Sequence, residues 1–315
     1  MFVRSSIGFL FSLTLCLPLV AQIPQQSQPV KDRAVQPATA TSVVPQQRPI
    51  RFALRAARIG DRVQQRVGVE MQLKTLITQS GQTAHESDTT MRRQQQRLVE
   101  VTAVEGENFK AARVEFPLSR MQVPKELDPE SAVADVLAPQ PIEGKVYLVT
   151  RVDGKLKITD ASGELPPVEE YKLVADSLAT LGKPNLLARH LLKVQPQVGQ
   201  RVLVPREIAK SLFGMNDDIG AIKRFELTLS ELKAAPAGGF PLAVFMAKIE
   251  TMPSETSPME MSVEGKLTME ISTCRIVAAE LAGPIGMSSE QQTAEGFFHY
   301  GVSGQLRMAT SATYR

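Results

Sequence analysis

The chain has no tryptophan, two cysteines and three histidines among its 315 residues. Each scarcity excludes something. His85, His190 and His299 stand far apart, none with a second ligand at useful spacing, so no metal site is predicted. Cys16 falls in the apolar run near the start, which leaves Cys274 alone in the rest of the chain and excludes an internal disulfide there. No Gly-rich phosphate loop follows a strand pattern, so no cofactor is expected. A net charge of +3 is too weak a field to argue for nucleic acid or an anionic membrane surface.

The start of the chain has three parts: Arg4, an apolar run over 7–20, and Ala21 at a small-residue boundary. The run is short for a bilayer span of about 20 residues. Residues 1–21 therefore read as a removable signal peptide, and the protein as exported, periplasmic or extracellular, with no stable membrane span after cleavage. Residues 22–49 are rich in Gln, Pro, Ser, Thr and Val and read as a disordered tether. Residues 50–315 are expected to form a single β-rich domain, with a helical insert at about 166–214.

The dominant period is two. Phe225, Leu227 and Leu229 alternate with Arg224, Glu226 and Thr228, and Met259, Met261 and Val263 alternate with Glu260, Ser262 and Glu264. This pattern predicts half-buried antiparallel strands at 61–79, 83–104, 108–122, 145–160 (a hairpin), 221–234, 240–251, 258–282 and 293–313. Asp153-Gly154 is a strong type I′ turn signal, and Ser80-Gly81, Glu105-Gly106 and Gly238-Gly239 mark further reversals. In the insert, Val168, Tyr171, Val174, Leu178 and Leu181 recur at helical spacing between Pro167 and Gly182. Shorter helices are predicted at 185–193 and 205–213. The expected fold class is thus α+β, mainly antiparallel β: a curved, half-barrel-like sheet with two or three short helices packed on one face. The segment 240–249 is apolar on both parities and predicts a strand covered on both sides. Thr89 to Arg97 is polar on both parities. It reads as a ribbon that projects or lies at an edge, or as a short exposed helix.

Catalytic patterns fail on context. Ser230-Glu231-Leu232-Lys233 matches S-x-x-K, but it sits in a strand pattern and lacks the companion motifs. Asp217-Asp218 lack the oxygen-rich spacing of a calcium loop, and Glu169-Glu170 suit the first turn of a helix without further purpose. Cys274 shares the parity of Glu270 and Ser272, which predicts partial access. No catalytic residue is assigned. The unusual apolar choice is methionine, a soft, adaptable side chain concentrated in the C-terminal strands. Phe225, Leu227, Leu229, Met246 and Met261 are the candidate ligand-binding residues of an apolar face. Three readings follow: a non-catalytic protein acting by interaction with an envelope protein, a carrier of a lipid, lipoprotein or hydrophobic peptide, and an enzyme of unrecognised type.

Several phrases carry a resemblance: Arg58-Ile59-Gly60-Asp61-Arg62-Val63, Val99 to Glu107, Gly144-Lys145-Val146-Tyr147, Val198-Gly199-Gln200 and Gly265-Lys266-Leu267. With them the chain resembles uncharacterised exported β-rich proteins of planctomycete-type bacteria. In outline it is also similar to periplasmic lipoprotein-carrier half-barrels, in which a curved sheet wraps apolar ligand around helices. Neither resemblance implies a catalytic residue, and the second implies a hydrophobic ligand.

Overall fold

The computed structural model describes residues 51–122, 137–213, 220–234, 240–254, 257–293 and 296–315. The expected signal peptide and tether, Asp217-Asp218 and the Gly238-Gly239 reversal lie outside these residues. The strands are β1 (Arg62–Gln79), β2 (Gln82–Glu105), β3 (Asn108–Met121), β4 (Ala138–Pro139), β5 (Val146–Val152), β6 (Lys155–Asp160), β7 (Arg201–Leu203), β8 (Ala221–Lys233), β9 (Leu242–Met252), β10 (Met259–Glu270), β11 (Ile276–Thr293) and β12 (Gly296–Tyr314). The helices are α1 (Val168–Ser177), α2 (Leu186–Val194) and α3 (Arg206–Phe213).

All strand pairs are antiparallel and belong to one open sheet, ordered β6-β5-β3-β2-β1-β12-β11-β10-β9-β8-β7, with β4 beside β3. Alternation decides which face is buried. Val63, Val67, Val69 and Met71 of β1 share a parity with Leu306 and Met308 of β12 and with Leu281 of β11, and all are buried. The same face continues through Phe245, Ala247 and Ile249 of β9 and Phe225, Leu227 and Leu229 of β8. We call this the inner face, because the three helices pack against it.

The helices begin and end where local chemistry dictates. Pro167, which has no N–H to leave unsatisfied, precedes α1 in an extended conformation. The side chain of Asn185 caps α2 by accepting from the Ala188 N–H at 3.0 Å, and Gln195 closes it in the left-handed region. Gly182, between the two, has φ +75, and a Cβ there would stand 2.9 Å from the carbonyl oxygen of Phe109. That position needs glycine twice over.

Three expectations need correction. First, the single strand foreseen at 258–282 is two strands. The chain reverses at 271–275, where Cys274 takes φ +51 in place of a glycine, and β11 then runs on to Thr293. Second, Thr89 to Arg97 is neither an edge nor a helix. It lies in β2, between β1 and β3, and Arg93, Gln95 and Arg97 point inward with Met91 and Val99. Third, β9 is not sealed on both sides. Val244 is buried on the outer face, but Met246 beyond it is 42% exposed.

Candidate functional site

Four of the five candidate residues, Phe225, Leu227, Leu229 and Met261, lie on the inner face and are almost wholly buried. Leu227 sits opposite Ala247 and Leu229 opposite Phe245, and Phe245 in turn meets Phe52 with ring centroids 6.0 Å apart. The three β8 residues pack under α3, and Met261 lies on the same face two strands away. Met246 stands apart from them, on the outer face.

There Met246 belongs to an open trough of about 600 Å³ crossing β9, β10, β11, β12, β1 and β2. Strands about 4.8 Å apart make this crossing about 24 Å long. Its outer-face floor mixes small and charged residues: Gly68 pairs with Ala309 across β1 and β12, Ala282 lies on β11, and Glu280 and Arg307 stand beside them. Its walls are long and charged, with Glu70 and Arg92 at one end and Glu264 and Lys266 at the other. Nothing in a single strand signals such a trough. It exists only once register brings six strands together.

The inner face carries a polar seam that residue-type arguments also missed. The Arg97 Nε donates to Gln65 Oε1 at 2.7 Å, and its Nη1 donates to the Ser177 carbonyl at the end of α1. Arg93 and Gln95 both donate to the Ser177 hydroxyl, at 3.3 and 3.2 Å, and Gln95 also to Ser119. Buried cations of this kind are tolerated only when hydrogen-bonded, and here the last turn of α1 supplies the acceptors. The readable signal was parity, since these residues alternate in phase with Met91 and Val99.

Glu170 is likewise more than a first-turn charge. It accepts from Lys145 Nζ at 2.6 Å and from the Tyr147 hydroxyl at 2.7 Å while nearly buried. The lysine hydrogen bond holds its carboxyl below the usual carboxylate range, against the opposing effect of burial. Burial pushes the Tyr147 phenol up, and the bond to Glu170 adds to this. The group docks α1 onto β5.

The remaining reactive types are dispersed. His85 is exposed, and His299 lies 3.7 Å from Glu290 near a hairpin end. Cys274 is free and fully buried, which corrects the expected partial access, and burial pushes its thiol up to about 12. A thiol so placed is not a nucleophile. Among the described residues no group of His, Cys, Asp or Glu could hold a metal ion.

No protein-family model and no curated protein matches the chain. Among solved structures it is similar to lipovitellin, from a study of lipid–protein interactions, with a TM-score of 0.38 and 8% identity over 81% of this chain. The chain spans 26% of that protein's length. It is similar also to a protein of Bacteroides fragilis with a YmcC-like fold, with a TM-score of 0.23 and 10% identity over 80% of this chain and 97% of the other. Likenesses this weak carry no functional argument.

Proposed function

We propose that the chain is an exported, non-catalytic binding protein whose partner, an envelope protein, lies across the outer trough as an extended segment. The trough carries this reading. Its glycine and alanine positions let a backbone approach closely, and the charged side chains beside them offer both signs of charge to that segment. The packed inner layer behind it serves as a rigid support. The three-part start of the sequence and the Gln- and Pro-rich stretch that follows support export, and no helix among the described residues is long and apolar enough to cross a membrane.

A photo-crosslinking side chain at position 309 should capture an envelope protein in cells, whereas the same group at exposed Lys155 should not. Adding Ala282→Arg to the position-309 probe should abolish the adduct without changing the circular dichroism spectrum. An adduct that survives Ala282→Arg counts against the trough.

One observation favours a second reading, a carrier of a lipid, lipoprotein or hydrophobic peptide. Toward the far ends of β1 and β12, Ile77, Phe298, Tyr300 and Val302 share the inner face but are only half buried, with the Phe298 and Tyr300 rings stacked 6.3 Å apart. Native mass spectrometry separates the readings: a retained lipid mass supports the carrier, and a bare polypeptide mass supports the protein-binding trough.

A further inference from the structure

At the end of the sheet where β1 begins and β12 finishes, residues 51–57 run across the rim as a strap. The Ala53 N–H donates to the Ile271 carbonyl at 3.0 Å and the Ala57 N–H to the Glu107 carbonyl at 3.1 Å. Gln195 clamps the strap by bonding both the N–H and the carbonyl of Phe52. Beneath it is a narrow cleft of about 30 Å³.

Four cations line that cleft, Arg55, Lys183, Arg189 and Arg275, against one carboxylate, Glu107. Arg189 already bridges Glu107 at 3.2 Å. Arg275 is the unusual member. It is 1% exposed, and all three of its guanidinium nitrogens lack a hydrogen-bond partner among the described residues. Its guanidinium lies over the Tyr314 ring, with the guanidinium carbon 4.4 Å from the centroid. The nearby acids are otherwise engaged: Glu270 accepts from the Thr273 hydroxyl at 2.7 Å, and Asp61 from the Arg58 N–H at 3.1 Å. The Tyr314 hydroxyl donates to the Ile276 carbonyl.

A fully buried cation with no acceptor is among the costliest arrangements in a protein, and a bound ion is a standard remedy. We propose that this cleft binds a phosphate group, gripped by Arg275 at the wall and attracted by Arg55, Lys183 and Arg189. The three unpartnered Arg275 nitrogens and the excess of positive charge match a tetrahedral oxyanion better than a single carboxylate. Burial lowers the Arg275 pKa to about 10, against the opposing charges of Glu270 and Asp61 nearby. The phosphate belongs either to a free anion or to a lipid headgroup.

Thermal unfolding of the full chain, in buffer free of phosphate and sulfate, tests this as inorganic phosphate is raised to about 10 mM. A saturable rise in Tm is expected for a free-anion site. Arg275→Met should lose the rise and start from an equal or higher Tm, since removing an uncompensated buried charge costs little. Arg55→Ala, at the strap, should need about tenfold more phosphate for the same rise, and it keeps the test alive if Arg275→Met fails to fold. If phosphate has no effect but the chain co-sediments with phosphatidylglycerol vesicles, not phosphatidylcholine vesicles, in an Arg275- and Arg55-dependent way, the group recognised is a headgroup. A wild type that answers neither probe, or variants that answer as the wild type does, overturns the site.

Discussion

Glu170 shows how one side chain can set a stability profile. Its folded pKa is lowered, so its contribution is fully present above the ordinary carboxylate range and is lost as pH falls through the folded value. Glu170→Gln should therefore cost about 1.5–3 kcal/mol at neutral pH and flatten the acid side of a plot of Tm against pH. An unchanged acid limb would mean that Lys145 and Tyr147 find other partners. At this scale the sequence misled in one consistent way: charge was read as exposure. Arg93, Gln95 and Arg97 keep the buried parity of β2, and their type argued louder than their position. The end of α1, which accepts hydrogen bonds from all three, is more than seventy residues away in the chain, so no local pattern could announce it.

Among the elements, the long strands follow from alternation and the tightest turns from glycine. Asp153 and Gly154 take φ +48 and +77, as a two-residue hairpin requires. The β10–β11 reversal was hidden because the left-handed position there holds Cys274 instead of glycine or asparagine. A second set of glycines does different work. Gly265, Gly283 and Gly304 sit on three adjacent strands, each displaced two residues from the partner of the last, and all share the inner parity. A Cβ on any of them would run into a neighbouring strand's carbonyl, from Glu280, Ser262 and Gln72 respectively. Excluding side chains along this diagonal lets the backbones close up, and that is how such a wide sheet curves. Gly283→Ala should cost about 2–4 kcal/mol in denaturant unfolding. Gly68→Ala, on the outer face with nothing within 4 Å of the added carbon, should change stability by less than about 0.5 kcal/mol. Equal effects would show that the diagonal is not under constraint.

For the molecule as a whole, the antiparallel α+β class was legible, but the strand order was not. Alternation says which residues face inward, yet it says nothing of which strands are neighbours. The open ends of the sheet are guarded by simple means: β7 is three residues long, and β6 presents Lys155 and Lys157 to solvent. The centre is the seam between β1 and β12, paired from Val63–Tyr314 to Gln79–Phe298 and tied by reciprocal Arg62–Arg315 backbone bonds. A chain ended after Thr293 loses this seam. It should unfold without a cooperative transition by circular dichroism, and a sharp two-state curve for that truncation would show that the two half-sheets stand alone.

The seam also fixes a timetable. The earliest strand waits for the latest, so the middle of the sheet cannot zip shut while the chain is still being made. Neighbouring strands such as β1 and β2 can pair early, but the two halves of the sheet can join only when β12 is available. Placing β1 beside β12 thus makes the joining of the two half-sheets the late step in completing the described sheet.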